Sequence, residues 1–324
     1  MPIQRLLKVL ALGALWCAAL AVAQTPTFPS RPLRILVPSV AGSSPDIRAR
    51  QIAEKLAQVF GQPVLVENRP GANGVIAQRE AAKSPPDGHT LFLALINNAV
   101  ADALTPDPCC RLGSQLIPVS RFSMTPLLMV VNPAVPAQTL DQYVAYAKAN
   151  PDKLSYASHG PGSVSQLVGE MLRAERGVKL LEVPYKGVNS ELPDLIGGQL
   201  NTAFVVPQVV LASIRGGKLR ALAVMGRERL EILPTVPSVA ELGVPQLEAI
   251  AWNGIFVPAG TPAAVVQTLH RELVRAYNAP EVREQLRAGG SYAAADTPEE
   301  FAAFVRAEQE KWSRVIREAG IKAP

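Results

Sequence analysis

The chain has 324 residues, 48% of them hydrophobic and 5% aromatic, with a formal charge of +5. That mild positive balance, with no Lys/Arg block and few aromatics, argues against a nucleic-acid platform. The length exceeds one ordinary core, so two lobes are expected.

Met1–Ala23 reads as a secretory leader. Arg5 and Lys8 form its positive end, Leu10–Leu20 its apolar core and Ala21-Val22-Ala23 a small-residue cleavage site, with cleavage after Ala23. The apolar core is too short to span a bilayer, and Trp16 before Cys17 spoils a lipoprotein reading. The mature protein is therefore expected to be exported to the periplasm, with its charge lowered to +3 by loss of Arg5 and Lys8.

Leu33–Asp46, LRILVPSVAGSSPD, is the stretch around which the rest is organised. An apolar strand, Leu33–Val37, ends at Pro38 and gives way to a small-residue loop: Ser39, Val40, Ala41, Gly42, Ser43 and Ser44. Pro45-Asp46 then opens a helix running to Phe60, with Ser44 predicted as its N-cap. Small side chains let a ligand approach the backbone, and the first N–H groups of a helix attract anions. Such a loop at the carboxyl end of a strand is where open α/β sheets place ligands.

Further βα units follow: a strand over Pro63–Glu67, a glycine loop at Pro70–Gly74, a helix over Val75–Lys83 and a strand over Thr90–Leu95. Cys109 and Cys110 come next. Neighbouring Cα atoms lie about 3.8 Å apart, shorter than the usual disulfide span of about 4.4–6.8 Å. They read as partly buried thiols or one strained bridge, and no metal-ligand spacing surrounds them. Leu127–Val131 is a strand and Leu140–Ala149 a helix.

Lys153–Glu170, KLSYASHGPGSVSQLVGE, repeats the first design. A strand ends near Ser158, a loop carries His159, Gly160 and Gly162, and Ser163 with Gln166 fits a capping box. Two such loops facing each other would clamp an anion. Strands at Leu180–Tyr185, Ala203–Val206 and Leu219–Val224 flank a helix at Glu191–Ile196, so each lobe is expected to hold a mainly parallel sheet. After a strand at Trp252–Val257, helices follow at Pro262–Asn278, Pro280–Ala288 and Pro298–Ala319, with Thr261 and Thr297 as N-caps. Phe301, Phe304, Val305, Trp312, Val315 and Ile316 give the last helix a buried face.

Catalytic patterns are poor. His89, His159 and His270 stand outside any His-Glu-x-x-His frame, and Ser163 lacks the hydrolase elbow. Asp46 suits a helix start. No catalytic residue, metal ligand or cofactor is assigned.

Many segments in order carry a family resemblance: FPSRPLRILVPSVAGSSPDIRARQIAEKL, GQPVLVENRPGANG, PPDGHTL, AYAKANPDKLSYASHGPGS, EVPYKG, LPDLIGGQL, GGKLRALAV, LPTVPSVAELGV and WNGIFVPAGTPAAVV. The mature chain resembles the Bug-type extracytoplasmic solute receptors associated with tripartite tricarboxylate transporters. The resemblance implies a two-lobe periplasmic-binding-protein fold, α/β, with one small carboxylate held between the lobes. Lobe 1 would comprise residues 24–124 and 253–324, and lobe 2 residues 125–252. It implies ligand contacts from Ser39, Ala41, Gly42, Ser43, Ser44 and Asp46, from Ser158, His159, Gly160, Gly162, Ser163 and Gln166, and from Tyr185 and Lys186 of the VPYKG turn.

The chain departs from the family pattern in several places. Ser39 replaces an aromatic, Gly42-Ser43 the usual Gly-Gly, Gln166 a histidine and Val205 an acid. Loss of that acid removes a partner for a ligand ammonium group, so a plain mono- or dicarboxylate is expected rather than an amino acid. Partners would be membrane transporter subunits or a sensor, and the receptor a monomer. The reading from a different class is an exported enzyme with Asp46 or His159 as its acid–base group.

Overall fold

The computed structural model describes residues 28–105 and 109–321; the leader and its cleavage site lie outside the described residues. The first part of the chain runs β1 (Leu33–Val37), α1 (Ser44–Phe60), β2 (Val64–Asn68), α2 (Val75–Ala82), β3 (Thr90–Leu95), α3 (Ile96–Leu104) and β4 (Leu116–Pro126). The middle part is β5 (Leu128–Val131), α4 (Leu140–Ala149), β6 (Ser155–Ser158), α5 (Val164–Arg176), β7 (Leu181–Pro184), α6 (Val188–Gly197), β8 (Thr202–Val205), α7 (Pro207–Arg215) and β9 (Arg220–Val224). The chain closes with β10 (Ile250–Pro258), α8 (Ala263–Tyr277), α9 (Pro280–Ala288), β11 (Tyr292–Ala293) and α10 (Pro298–Ala319). Among the described residues no helix is long and apolar enough to cross a membrane.

Two sheets result, ordered β11-β4-β10-β3-β1-β2 and β7-β6-β8-β5-β9. They are mixed rather than mainly parallel. The βα units supply the parallel part: β1 pairs with β2 and β3, and β6 with β7 and β8. The antiparallel part comes from β4, β5 and β10, beside which the chain passes from one sheet to the other. Pro126 ends β4 in the first sheet and Leu128 begins β5 in the second. Around that junction Leu127 donates to the Ala249 carbonyl at 3.0 Å, Ala249 to that of Met225 at 2.9 Å, and Met225 to that of Leu127 at 2.8 Å. Three backbone bonds thus tie both crossings together.

The strands β1 and β3 are buried on both faces, as a central parallel strand must be. One face of the first sheet places Leu33, Ile35 and Val37 against Ile52 and Leu56 of α1 and Leu269 and Leu273 of α8. The second sheet packs Leu128, Val130 and Val205 with Leu195 of α6 and Val210 of α7. The largest cluster belongs to both sheets: Phe92, Phe256 and Trp252 meet Met129, Tyr156 and Phe204 in one continuous core. The last helix joins it, lying against both α3 and α5. Trp312 is fully buried there, as its spacing predicts. Glu308 accepts hydrogen bonds from the indole N–H of Trp252 at 3.0 Å and of Trp312 at 3.1 Å. Gly254 lets Phe301 in, since a Cβ there would stand 2.2 Å from its ring.

Thr297 caps α10 with the expected box to Glu300. Thr261 does not cap α8. Its hydroxyl donates to the Pro258 carbonyl at 2.7 Å, and Pro262 takes the cap position. Cys109 is exposed and Cys110 buried.

Candidate functional site

The first loop is held by its own polar groups. Gly42 adopts φ +78°, a conformation that favours glycine, and its N–H donates to Asp46 Oδ2 at 2.8 Å. Ser43, rather than the expected Ser44, is the residue before the helix. Its hydroxyl does not cap an amide; it donates to the Val40 carbonyl at 2.7 Å and lies 2.9 Å from Ser39 Oγ. Asp46 is buried, receiving Arg50 Nε at 3.1 Å and Asn68 Nδ2 at 3.0 Å as well as the Gly42 amide. Burial by itself would raise its pKa, but Arg50, the Gly42 amide and Asn68 together hold the carboxyl below its ordinary range. Asp46 is therefore a brace for the loop, with both oxygens occupied.

The second loop is built to the same plan. Gly162, at φ +72°, donates to Gln166 Oε1 at 2.8 Å, and Ser163 Oγ caps the Gln166 amide at 3.3 Å. The expected capping box thus forms with a one-residue offset: the Gln166 side chain reaches Gly162 instead of Ser163. Most other loop amides also turn inward. His159 N–H donates to Ser163 Oγ and Ser165 Oγ, both at 3.1 Å, Gly160 to Ser158 Oγ at 3.3 Å and Ser163 to the Gly160 carbonyl at 3.1 Å. Donors for a ligand are therefore those of the first turn of α5. Ser158 Oγ and Gln166 Nε2 both donate to Glu182, at 2.6 and 3.2 Å. His159 Nε2 lies 2.9 Å from Oε2 of Glu191, a buried carboxylate.

In the third region Tyr185 donates its hydroxyl to Asp194 at 2.9 Å. Its burial and that carboxylate push the phenol up to about 12. Lys186 is exposed and forms no ion pair among the described residues.

Two spaces lined by both halves open beside the first loop. The larger, about 640 Å³, is walled by Val40–Ser44 on one side and Lys186–Ser190 on the other. No Asp or Glu lines it. The smaller chamber, about 180 Å³, lies beyond Ser44, which lines both. Gln208 Nε2 donates to Ser44 Oγ across the gap at 3.0 Å. The first loop and Lys186-Gly187 of the VPYKG turn therefore line one space. The second loop abuts other parts of the first-sheet side: Asn73 Nδ2 donates to the Pro161 carbonyl at 3.4 Å, and a Cβ on Gly162 would stand 2.5 Å from Leu104 Cδ2.

Val205 needs correction as a wall residue. Its side chain is buried in the second-sheet core, while the next residue, Val206, lines the chamber. Sequence reasoning also missed Arg48, Glu191, Gln208 and Asn253. A signal existed for Arg48, which precedes the buried Ile52 by four residues and so continues the inward line of α1.

A family profile described as tripartite tricarboxylate transporter family receptor matches residues 48–321. The chain belongs to this family. It is 35% identical to the protein BugT of Bordetella pertussis over 99% of both chains. Among solved structures of similar fold, the R. palustris protein Rpa4515 with adipate is 29% identical, with a TM-score of 0.80, and the match covers 91% of this chain and 99% of that one. MatC from Rhodopseudomonas palustris with bound malate is 31% identical, with a TM-score of 0.78 over 89% and 100% of the two chains. As a member of this receptor family the protein has the two-lobe α/β fold of a solute-binding protein, not that of an enzyme family.

Proposed function

We propose that the protein is a periplasmic receptor that captures a small carboxylate between its two lobes and delivers it to the membrane subunits of a tripartite tricarboxylate-type transporter. The observation that carries this reading is the charge of the cleft. Among the described residues no Asp or Glu lines either space beside the first loop, while Lys186 lines the larger and Arg48 the smaller. An anion entering such a cleft meets cationic side chains and a helix start, with no carboxylate to repel it. Lobe 1 runs to Pro126 and resumes at Ile250, two to three residues beyond the expected bounds of 124 and 253 because β4 and β10 belong whole to the first sheet, and lobe 2 is the segment between. They close on the ligand about the Leu127–Met225–Ala249 bonds. The titratable candidates for catalysis are committed elsewhere, Asp46 to its loop and His159 to Glu191. The relatives that carry adipate and malate support the ligand class.

A thermal-shift screen of the mature protein tests the reading. At a hundredfold excess over Kd a ligand stabilises the native state by about 2.7 kcal/mol, which raises the melting temperature by roughly 5–10 °C at about 2–4 °C per kcal/mol. A cognate carboxylate is expected to give that shift and its methyl ester much less. Equal shifts for acid and ester would refute anion capture.

A further inference from the structure

The chamber beyond Ser44 has a chemistry of its own. Arg48, on the first turns of α1, lines it with a part-buried guanidinium whose one hydrogen bond among the described residues is a 3.5 Å contact to Gln51 Oε1. No carboxylate pairs with it among the described residues, and none lines the chamber. Removal from water holds the Arg48 pKa below the usual arginine range, so the site carries an uncompensated cation. Two more lining side chains have unmet needs. Gln208 Oε1 and Asn253 Oδ1 are buried with no hydrogen-bond partner, although Gln208 Nε2 is engaged by Ser44 and Asn253 Nδ2 by Ser123. Native interiors seldom leave such atoms unpaired, so each calls for a donor from outside the protein.

We infer that this chamber is a second ligand subsite, in which Arg48 binds a distal carboxylate and the amide oxygen of Asn253 accepts the one proton of a hydroxyl beside it, leaving Gln208 Oε1 to a water. The inference rests on the reading of the cleft as a carboxylate site and names what that site selects: a hydroxy-substituted dicarboxylate over a monocarboxylate. An ammonium group in the hydroxyl's place fits poorly. It would stand near the Arg48 cation, with neutral amides and no acid to compensate it. A chamber of about 180 Å³ has room for one acid group with a few carbons. Because Ser44 is shared by both spaces, a single ligand can reach from the larger cavity into the smaller.

Calorimetric titration of the mature protein with malate, succinate, aspartate and butyrate tests this. Malate is expected to bind tightest, succinate next, and aspartate and butyrate weakly. Arg48→Gln should weaken malate and succinate by roughly 10- to 100-fold, the usual worth of a charged hydrogen bond, and butyrate far less. Arg48→Lys, which keeps the charge but loses the planar fork, should restore part of the loss. Asn253→Leu should narrow the gap between malate and succinate, and circular dichroism melts confirm that each variant is folded. Wild-type protein that binds butyrate as tightly as malate, or an Arg48→Gln variant that weakens all acids equally or none, overturns the second subsite while carboxylate capture stands. Wild-type protein that binds no acid of the panel overturns both.

Discussion

Substitution of Gly162 should act on the seam between the lobes. The residue has φ +72°, and a Cβ built on it would stand 2.5 Å from Leu104 Cδ2, at the end of α3 on the first-sheet side. Gly162→Ala therefore carries two separable costs. The left-handed backbone conformation costs an L-residue about 1–2 kcal/mol, wherever its neighbours are. The clash costs about 1–3 kcal/mol, as overpacking usually does, and depends on Leu104 being there. Urea denaturation of Gly162→Ala, Leu104→Ala and the double variant resolves the two. The single Gly162→Ala change is expected to destabilise by about 2–5 kcal/mol, the range those two costs span. In the Leu104→Ala background it should cost at least about 1 kcal/mol less, a coupling typical of residues in contact. Titration with the best ligand of the acid panel should show weaker binding in Gly162→Ala, because the added methyl holds the second loop off α3, and recovery in the double variant. Strictly additive effects on stability would refute the contact. Unchanged binding in Gly162→Ala would refute the second loop's part in closure.

Removal of the Glu308 carboxylate should be costly, because it leaves two buried indole N–H groups without an acceptor. Glu308→Ala is expected to lose about 2–6 kcal/mol in urea denaturation, at about 1–3 kcal/mol per orphaned donor, and Glu308→Gln markedly less. Asp46 predicts an acid limb. Its folded pKa is depressed, so its stabilisation is fully present above the unfolded value of about 3.9 and lost as pH falls through the lower folded value. Asp46→Asn should lower stability at neutral pH and flatten that acid limb, as followed by denaturant melts across the acid range; an unaltered pH profile would contradict the brace.

The βα units were legible because each joins an apolar run to a loop with small or capping residues. The helices Leu140–Ala149, Pro280–Ala288 and Pro298–Ala319 have the predicted ends, since Thr139, Pro280 and Thr297 mark their starts chemically. The long β4 was not legible: Ser120, Arg121 and Ser123 interrupt its apolar pattern, and only pairing with β10 and β11 on its two sides makes it a strand. The antiparallel halves of the sheets were hidden for the same reason, being set by partners from 71 residues away, as for Val131 and Thr202, to 170, as for Ser123 and Ala293. Within the site, local chemistry identified both loops. It could not show that Asp46 and Gln166 turn back to glycine amides, or that His159 meets Glu191 on a helix 32 residues on. Arg48, Gln208 and Asn253 converge from three separate segments, which no spacing along the chain reveals.

The largest apolar cluster draws side chains from both sheets, and α10 lies across α3 and α5 alike. Such a molecule has no seam in its interior along which to come apart cleanly. Opening must be a shallow rocking on a common keel, not the parting of two independent bodies, since a wide swing would expose Trp252, Tyr156 and Phe204 to water. The same keel makes the halves mutually dependent in folding. The shared cluster has no cover until the final helix lies across it, whereas the cores on the outer faces are each built from one half alone.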